Sequence, residues 1–247
     1  MFKAWKRLVP AALICASVPA LAMSVQPVVI DLKLLGSGSS QTISVENSFS
    51  GQLPVELKVT ELNFSADGLV TTGKESTDLL VFPPQSIIPP GQTQNFRVQY
   101  VGDPDIKKSK HYYVTVAQLP IKLPDGQSGV QILYNFQVLV SIAPLGVAPQ
   151  LKVTGARVGK DDKGKPVPEI TFNNGSAAHG YVSAGRLRII MRDAAGKEIF
   201  RKQLSGPEIQ QTVGFGLIGA EQTRTIKVPL ELPAAEGSID AQFTSQG

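Results

Sequence analysis

The chain has 247 residues, of which 42% are hydrophobic and 18% are charged, a balance typical of a globular protein rather than a disordered one. Three of its 24 basic residues and none of its 20 acidic residues lie before residue 23, so the remainder carries a formal charge of only +1. This near neutrality excludes the strongly cationic surface that nucleic-acid binding requires. The single cysteine, Cys15, leaves the later part of the chain without disulfides or thiolate chemistry.

Residues 1–22 have the features of a secretory signal peptide. Three basic residues, the last of them Arg7, precede an apolar run from Leu8 to Val18, and the small-x-small sequence Ala20-Leu21-Ala22 follows. The run is too short for a transmembrane helix. We therefore expect cleavage after Ala22, export across a membrane, and no direct membrane insertion of the mature protein.

The chain after residue 22 shows almost no helical periodicity. Short alternating apolar and polar runs are separated by clusters of Gly, Pro, Asn, Asp and Ser, a pattern typical of an all-β sandwich. Before residue 145 the pattern predicts seven strands, the number found in an immunoglobulin-like domain. They are Val25–Leu35, Gln41–Asn47, Pro54–Asn63, Leu79–Phe82, Gln94–Val101, His111–Gln118 and Val130–Ala143.

The last of these predicted strands, Val130–Ala143, is unusually long. All its even-numbered positions are apolar, so one face of the strand would be wholly apolar. At about 3.3 Å per residue it would span roughly 45 Å, two to three times the length of a typical strand. Either it is a core strand that bends through two sheets, or part of it pairs with a partner outside its own domain.

Residues 144–149, Pro-Leu-Gly-Val-Ala-Pro, predict a hinge, because proline cannot donate to a strand ladder. The sequence therefore predicts an all-β chain with two immunoglobulin-like β-sandwich domains in tandem, at residues 23–145 and 146–247. A second set of seven predicted strands supports the second domain: Leu151–Val158, Pro168–Asn173, Tyr181–Arg192, Glu198–Leu204, Gln211–Phe215, Thr223–Pro229 and Ser238–Thr244.

Catalytic and metal-binding patterns are missing from the sequence. The chain has only two histidines, His111 and His179, and lacks the Gly-x-Ser-x-Gly elbow of a serine hydrolase. Gly36-Ser37-Gly38 lacks the strand–glycine–helix context of a phosphate site. Asp161-Asp162 precedes Lys-Gly-Lys, which favours an exposed turn over a calcium loop with acids at alternate positions. We therefore predict a protein that is not an enzyme and needs neither cofactor nor metal.

Four stretches of the chain follow one another in a distinctive order. Residues 82–98, FPPQSIIPPGQTQNFRV, contain proline–proline and proline–glycine pairs and an arginine. Residues 111–120, HYYVTVAQLP, form a predicted strand that ends in proline. The long strand with its hinge comes next, and Asn173-Asn174-Gly175-Ser176 follows in the second domain. In this order the four stretches resemble those of the periplasmic pilus chaperones of the PapD-like chaperone–usher family, whose second domain has an asparagine turn at the matching place.

This resemblance implies an L-shaped, PapD-like pair of sandwiches that binds pilus subunits and delivers them to an outer-membrane usher. The subunits have an incomplete immunoglobulin-like fold, and the chaperone completes it by donating its seventh strand, called G1. An uncovered apolar edge also invites self-association of the free form, unless the loop 122–129 folds over it. By matching positions, the donated residues would be Val130, Ile132 and Tyr134, with Phe136 as a fourth, whereas Val138, Val140 and Ile142 would stay in the chaperone's own core.

The sequence departs from the best-studied branch of the family at the subunit's terminal carboxylate. That branch uses an arginine on the first strand and a lysine on the seventh, where this chain has Asp31 and Leu139. A buried carboxylate still needs a cation or several N–H donors. The candidates are Arg97 first, Lys33 second, and Tyr112 or Tyr113 as hydrogen-bond donors. Arg97 could equally be a residue of the sheet face that pairs with a local acid. The lost anchors resemble the archaic, or σ-type, branch.

Three classes of function are compatible with the sequence. The first is the pilus-assembly chaperone. The second is a structural pilus subunit or surface adhesin built of two β-sandwiches, which would need its own donor extension before the first strand. The third is a periplasmic enzyme or binding module on an immunoglobulin-like scaffold, since the fold alone does not define function. The missing acid–base pairs argue against the third class.

Overall fold

The structure is a computed structural model that describes residues 23–65, 68–121 and 131–245. The predicted signal peptide lies outside these residues. None of the helices in these ranges has the length and hydrophobicity of a membrane span. The same ranges contain no group of three or more His, Cys, Asp and Glu side chains placed to hold a metal ion.

Residues 23–65, 68–121 and 131–142 form a β-sandwich. One sheet contains four strands and the other contains six. The strands are β1 (Met23–Gln26), β2 (Val29–Leu32), β3 (Ser40–Asn47), β4 (Leu53–Ser65), β5 (Gly68–Glu75), β6 (Leu79–Phe82), β7 (Gln85–Ile88), β8 (Thr93–Tyr100), β9 (Lys110–Gln118) and β10 (Asn135–Ile142). The smaller sheet has the order β1–β3–β8–β6, and the larger has the order β2–β10–β9–β4–β5, with β7 also paired to β4.

The first predicted strand, Val25–Leu35, is divided at Pro27. β1 pairs antiparallel with β3 in one sheet, whereas β2 pairs parallel with β10 in the other. Proline has no N–H for a ladder, so pairing is interrupted there and the chain crosses from one sheet to the other. The prediction of a single strand was therefore wrong.

Two strands of the larger sheet, β5 and β7, were not predicted. Six of the eight residues of β5 are exposed, and their polar character hides the alternation on which strand prediction depends. β7 has only four residues and lies between Pro84 and Pro89. Both are short or exposed strands at the margin of the sheet, where burial leaves little pattern in the sequence.

The core of this sandwich confirms the alternation predicted for the end of the long strand. Val138, Val140 and Ile142 of β10 are completely buried. They belong to one cluster with Phe96 and Val98 of β8, on the facing sheet. Each such side chain contributes about 1.5–3 kcal/mol of burial free energy.

Residues 151–245 form the second sandwich. Its elements are β11 (Leu151–Lys160), β12 (Pro166–Asn174), β13 (Gly180–Tyr181), β14 (Gly185–Arg192), β15 (Glu198–Leu204), helix α1 (Gly206–Val213), β16 (Leu217–Ile218), β17 (Thr223–Lys227) and β18 (Ser238–Ser245). The sheets have the orders β11–β12–β17 and β15–β14–β18, with β13 and β16 as a separate pair. A separate core, which includes Ile170, Phe172 and Ile189, lies between the two larger sheets.

The predicted strand Gln211–Phe215 was wrong, because helix α1 covers most of it. The helix starts after Ser205, whose backbone N–H donates to the Glu208 carboxylate at 2.8 Å. Pro207 lies in the first turn, where a missing N–H does no harm. The Ser-x-x-Glu spacing was a helix-start signal in the sequence, and the strand prediction overlooked it.

The exposed turn predicted at Asp161-Asp162 is confirmed, and residues 193–197 form a second hairpin turn of the same kind. In the first, the N–H of Asp161 donates to the carbonyl of Lys165 at 2.9 Å. The Asp161 carboxylate accepts the N–H groups of Lys163 and Lys165 at 2.9 and 2.8 Å. Gly164 has φ of 79°, a region that favours glycine. The Asp161 carboxylate therefore stabilises the turn itself.

Candidate functional site

Among the strands that the structure describes, none pairs with one edge of β10 over half of its length, and this part is called the open edge of β10. β10 pairs with β9 from Asn135 to Ile142 but with β2 only from Leu139 to Ile142. The N–H of Leu139 donates to the carbonyl of Val28 at 3.0 Å, so this residue directs its backbone groups toward β2. Alternate residues of a strand direct these groups to the same side. Asn135 and Gln137 therefore present their N–H and C=O groups on a side where no described strand pairs with them.

The apolar side chains of this region become steadily more exposed toward the start of β10. Val138 is completely buried, and Phe136 is only partly buried against the core. Tyr134 is 38% exposed and Ile132 is 70% exposed. The row of even-numbered apolar residues therefore runs out of the core into solvent, and Ile132 and Tyr134 offer large apolar surfaces next to the open edge.

Residues 131–134 are not part of the strand. The carbonyl of Tyr134 accepts the N–H of Gln118 at 2.9 Å, and the Gln131 side chain donates to the carbonyl of Ile121 at 2.7 Å. The Tyr134 ring lies 5.9 Å from that of Phe49. These contacts hold the segment beside the end of β9 without a regular ladder. The prediction of one continuous strand from residue 130 was wrong in this respect.

Three of the four predicted donor residues lie in the described part of the chain. Ile132 and Tyr134 lie in the exposed segment before β10, and Phe136 is the second residue of the strand. Val130 lies outside the described residues. The donor role of all four stays a prediction.

The four predicted anchor residues are not brought together. Arg97 lies on the outer face of the smaller sheet, where its guanidinium donates to Ser40 Oγ at 3.2 Å. Among the described residues it makes no ion pair with an acid. Lys33 is exposed just after β2. Tyr112 and Tyr113 are neighbours on β9 and face opposite sides of the larger sheet, because successive strand residues alternate.

Tyr112 already has a structural role in the core. It is completely buried, and its hydroxyl donates to Asp78 Oδ2 at 2.5 Å. Lys110 Nζ lies 2.9 Å from the same oxygen. Burial would raise the pKa of Asp78, but the hydrogen bonds from Lys110 and Tyr112 outweigh it and hold this pKa below its ordinary value. Burial and the Asp78 carboxylate raise the pKa of Tyr112.

The two sandwiches meet at a polar junction that the sequence did not predict. Asp31 Oδ1 lies 2.9 Å from His179 Nε2 and accepts the Tyr181 hydroxyl at 2.8 Å. His179 Nδ1 lies 2.8 Å from Ser109 Oγ. With the imidazole proton on Nε2, facing the carboxylate, Nδ1 accepts the hydroxyl of Ser109. Asp31 and Ser109 belong to the first sandwich, so His179 ties the second sandwich to it at two points.

Ser109, His179 and Asp31 are the residue types of a hydrolase triad, but their arrangement is that of a structural tie. Ser109 Oγ also accepts the backbone N–H of His179 at 2.8 Å. The His179 side chain is only 6% exposed. A nucleophile must be free to approach a substrate and its base must be accessible to the transferred proton. This group therefore holds the junction together.

His111 lies inside the junction. Its ring makes edge contacts with Phe64 and His179, at centroid distances of 4.9 and 5.0 Å. Nδ1 lies 2.8 Å from Ser141 Oγ, whereas the buried Nε2 has no hydrogen-bond partner among the described residues. Burial, and to a smaller degree the neighbouring His179, lowers the pKa of His111 to about 3. His111 is therefore neutral at physiological pH.

A groove opens where the chain crosses from β1 to β2. Residues 25–29 form one side, and Thr42, Ser44 and Phe215 complete the lining. Its volume is about 650 Å³. Phe215 follows helix α1 in the second sandwich, and its ring lies 6.0 Å from that of Tyr181. The groove therefore lies at the edge of the first sandwich, next to the junction.

The arrangement of two β-sandwiches is the fold of pilus and fimbrial chaperones. The class 5 fimbriae chaperone CfaA has a TM-score of 0.51 and 14% identity, over 90% of this chain and 99% of that one. The YadV chaperone has a TM-score of 0.51 and 14% identity, over 90% and 91% of the two chains. No protein-family model matches the chain, and no curated protein matches its sequence.

A third similar structure is a chain of the CsuC–CsuE complex from the archaic chaperone–usher Csu pili of Acinetobacter baumannii. Its TM-score is 0.51 with 12% identity, over 89% of this chain and 97% of that one. That structure is described as a pre-assembly complex of a chaperone and a tip adhesion subunit. At such low identity these likenesses establish the fold that this chain shares with them.

Proposed function

We propose that this protein is a non-enzymatic periplasmic chaperone that binds pilus subunits through the open edge of β10. The observation that carries the proposal is the first half of β10, one edge of which pairs with no strand in the described part of the chain. This half continues into the exposed side chains of Ile132 and Tyr134. A partner that lacks one strand needs both features, namely main-chain hydrogen-bonding groups and apolar side chains on one face.

The open edge of β10 makes two kinds of contact with a captured subunit, through its main chain and through its side chains. The N–H and C=O groups of Asn135 and Gln137 pair with a strand of the subunit. Ile132, Tyr134 and Phe136 fill the gap in its core. Each large apolar side chain that becomes buried contributes about 1.5–3 kcal/mol. Val130 would extend this row by one position. In the free protein, the same edge would support self-association between two copies.

We further propose the cellular location and the delivery step that the resemblance to pilus chaperones implies. Residues 1–22 direct the chain to the periplasm and are removed there. Residues 23–145 form the subunit-binding domain, and residues 146–247 form the second domain. The loaded chaperone delivers its subunit to an outer-membrane usher, while the junction at Asp31 and His179 keeps the two domains in one arrangement.

Affinity purification of the tagged protein from the periplasm tests this function, with the bound partner identified by mass spectrometry. We expect a one-to-one complex with a pilus subunit that is insoluble when it is produced alone. The double variant Ile132→Ser/Tyr134→Ser should remain folded and lose the subunit, because both side chains are exposed in the free protein. Wild-type capture by this variant would refute the proposal, and so would incorporation of the protein itself into isolated fibres.

A further inference from the structure

We infer that the outer face of the second sandwich carries a binding site for a phosphate group, formed by β14, β15 and β18. The site is a pocket lined by Arg186, Arg188, Gln203, Gln242 and Thr244, and we call it the arginine pocket. It lies in a different sandwich from the open edge of β10, and phosphate binding there does not require subunit capture.

Alternation along β14 brings two arginines to the same face of the sheet. β14 is the central strand of its sheet, and its residues Leu187 and Ile189 are buried in the core of the second sandwich. Arg186 and Arg188 therefore lie on the outer face, where Arg186 is exposed and Arg188 is half-buried. Positions two apart on a strand are separated by about 7 Å. Two guanidinium groups at this spacing can contact one small anion from two sides.

The neighbouring strands add uncharged hydrogen-bond donors to the pocket. Gln203 of β15 and Gln242 of β18 flank Arg188, and Thr244 is opposite Arg186. The Arg188 guanidinium donates to Gln242 Oε1 at 2.5 Å, which fixes its position beside β18. The side-chain amides of both glutamines and the hydroxyl of Thr244 can donate to an anion. The described residues that line the pocket thus include two cations and no acid.

The outer face of this sheet has an excess of positive charge. Beyond the pocket, the described residues of the three strands add Arg192, Arg201 and Asp240 to this face, together with Glu198, which accepts two hydrogen bonds from Arg201 at 2.8 and 2.6 Å. These hydrogen bonds, followed by the charges of Arg192 and Arg188, hold the pKa of Glu198 below its ordinary value. Four arginines therefore oppose two acids, and the resulting positive potential favours an anion.

The size of the arginine pocket suits a small ion. Its volume of about 270 Å³ is several times the share of one water molecule in the liquid, which is about 30 Å³. It is just below the range of drug-sized sites, which begins at roughly 300 Å³. Guanidinium groups bind phosphate oxygens through paired N–H donors in a fixed geometry. The pocket therefore fits a phosphate group, either as the free ion or as the headgroup of an anionic lipid.

Calorimetric titration of the protein with inorganic phosphate at constant ionic strength tests the site. We expect saturable binding that Arg186→Gln and Arg188→Gln each weaken about tenfold, because each removes a charge-assisted hydrogen bond. Arg192→Gln is the matched control, since it makes the same charge change on the same strand and face, outside the pocket lining. It should bind like the wild type. Equal weakening by Arg192→Gln, or no saturable binding by the wild type, would overturn the inference.

Co-sedimentation with lipid vesicles distinguishes the two sources of phosphate. Retention on phosphatidylglycerol vesicles but not on phosphatidylcholine vesicles, lost in Arg188→Gln and kept in Arg192→Gln, would assign the pocket to a lipid headgroup. Calorimetric binding without retention would assign it to the free ion. Retention that Arg192→Gln lowers as strongly would overturn the inference, because the attraction would then belong to the charged face in general.

Two further measurements keep these outcomes separate from folding and from subunit capture. The thermal unfolding midpoint in chloride should be the same for all variants, and the exposed Arg186 still supplies a test if Arg188→Gln is unstable. Co-purification of the subunit should be unchanged in every variant. A failure of phosphate binding would therefore leave the proposed function standing, and a failure of subunit capture by the wild type would leave the phosphate site standing.

Discussion

Asp31 and His179 are 148 residues apart in the chain, yet the carboxylate of one lies 2.9 Å from the imidazole of the other. Asp31 is on β2, which pairs with the second half of β10. The contact therefore connects the second sandwich to the strand that limits the open edge. An ion pair of Lys108 with Glu221 and a hydrogen bond from Gln222 to the carbonyl of Ser65 add further ties between the two sandwiches.

Replacing His179 should loosen the junction. His179→Ala removes the hydrogen bonds of the imidazole to Asp31 and Ser109, and we expect a loss of about 1–3 kcal/mol in the free energy of unfolding. We also expect faster proteolysis within residues 143–150, which connect the sandwiches. Urea unfolding and limited proteolysis measure the two effects. Lys107→Ala, which removes an exposed ion pair with Asp105, is the control; equal results for both variants would contradict a tie at His179.

His111 should make stability depend on pH. Its pKa is about 3 in the folded protein and about 6.5 in the unfolded chain. The unfolded state therefore binds a proton that the folded state does not between these values. The contribution of the neutral His111 to the free energy of unfolding is therefore complete above pH 6.5. It is lost as the pH falls toward 3, by at most about 1.4 kcal/mol per pH unit.

His111→Gln tests this dependence, because glutamine is neutral throughout the range and can still hydrogen-bond to Ser141. Urea unfolding of both proteins between pH 4 and 7 should give a shallower pH dependence for the variant. The carboxylates titrate in both proteins, so their contribution cancels in the comparison. Parallel curves would show that His111 is not buried as a neutral group.

Tyr112→Phe should remove one of the two groups that hold the Asp78 carboxylate in its ionised form. The hydrogen bond from the Tyr112 hydroxyl is charge-assisted, so we expect a loss of about 1–2 kcal/mol at pH 7. The pKa of Asp78 is held below its ordinary value, so this stabilisation is present above pH 3.8 and is lost as the pH falls further. Chemical unfolding at pH 7 and at pH 2.5 measures both effects.

Tyr113→Phe is the matched control for this prediction. Tyr113 is the next residue of β9, is half-buried on the opposite face of the sheet, and makes no hydroxyl hydrogen bond within the described residues. Its loss should change stability little at either pH. An equal cost for the two substitutions would contradict a special role of the Asp78 hydrogen bond.

Gln137→Pro should separate folding from capture. The N–H of Gln137 points to the open side of β10, so the protein's own ladder with β9 does not need it. Proline is tolerated in a strand when its missing N–H faces an open edge. We expect a folded protein that captures subunits poorly, measured by co-purification. Gln137→Ala keeps the N–H and should bind normally; equal capture by both variants would argue against a main-chain contact at this residue.

The sequence predicted the repeated alternation of core positions and therefore the two β-sandwiches. Val138, Val140 and Ile142 could be assigned to the core because one row of alternate residues is apolar without exception. The pattern could not show where the strand begins. Ile132 and Tyr134 continue the same alternation as Val138, and whether they are buried depends on neighbouring strands that lie far away in the sequence.

The junction could not be predicted from local patterns. Asp31, Ser109 and His179 come from three distant parts of the chain, and none of them lies in a motif that specifies a hydrogen-bond partner. Pro27, by contrast, was a local signal that the first strand could not be continuous. Ser205 and Glu208 were a second such signal, because their spacing predicts a helix start in a region where a strand was expected.

The most direct test of the central claim is hydrogen exchange of the β10 amides in the free protein and in its complex with a captured subunit. We predict that the amides of Asn135 and Gln137 exchange rapidly in the free protein and become strongly protected in the complex. The amides of Phe136 and Val138, which face β9, should be protected in both states. If Asn135 and Gln137 exchange equally fast with and without the subunit, the open edge of β10 is not where the subunit binds.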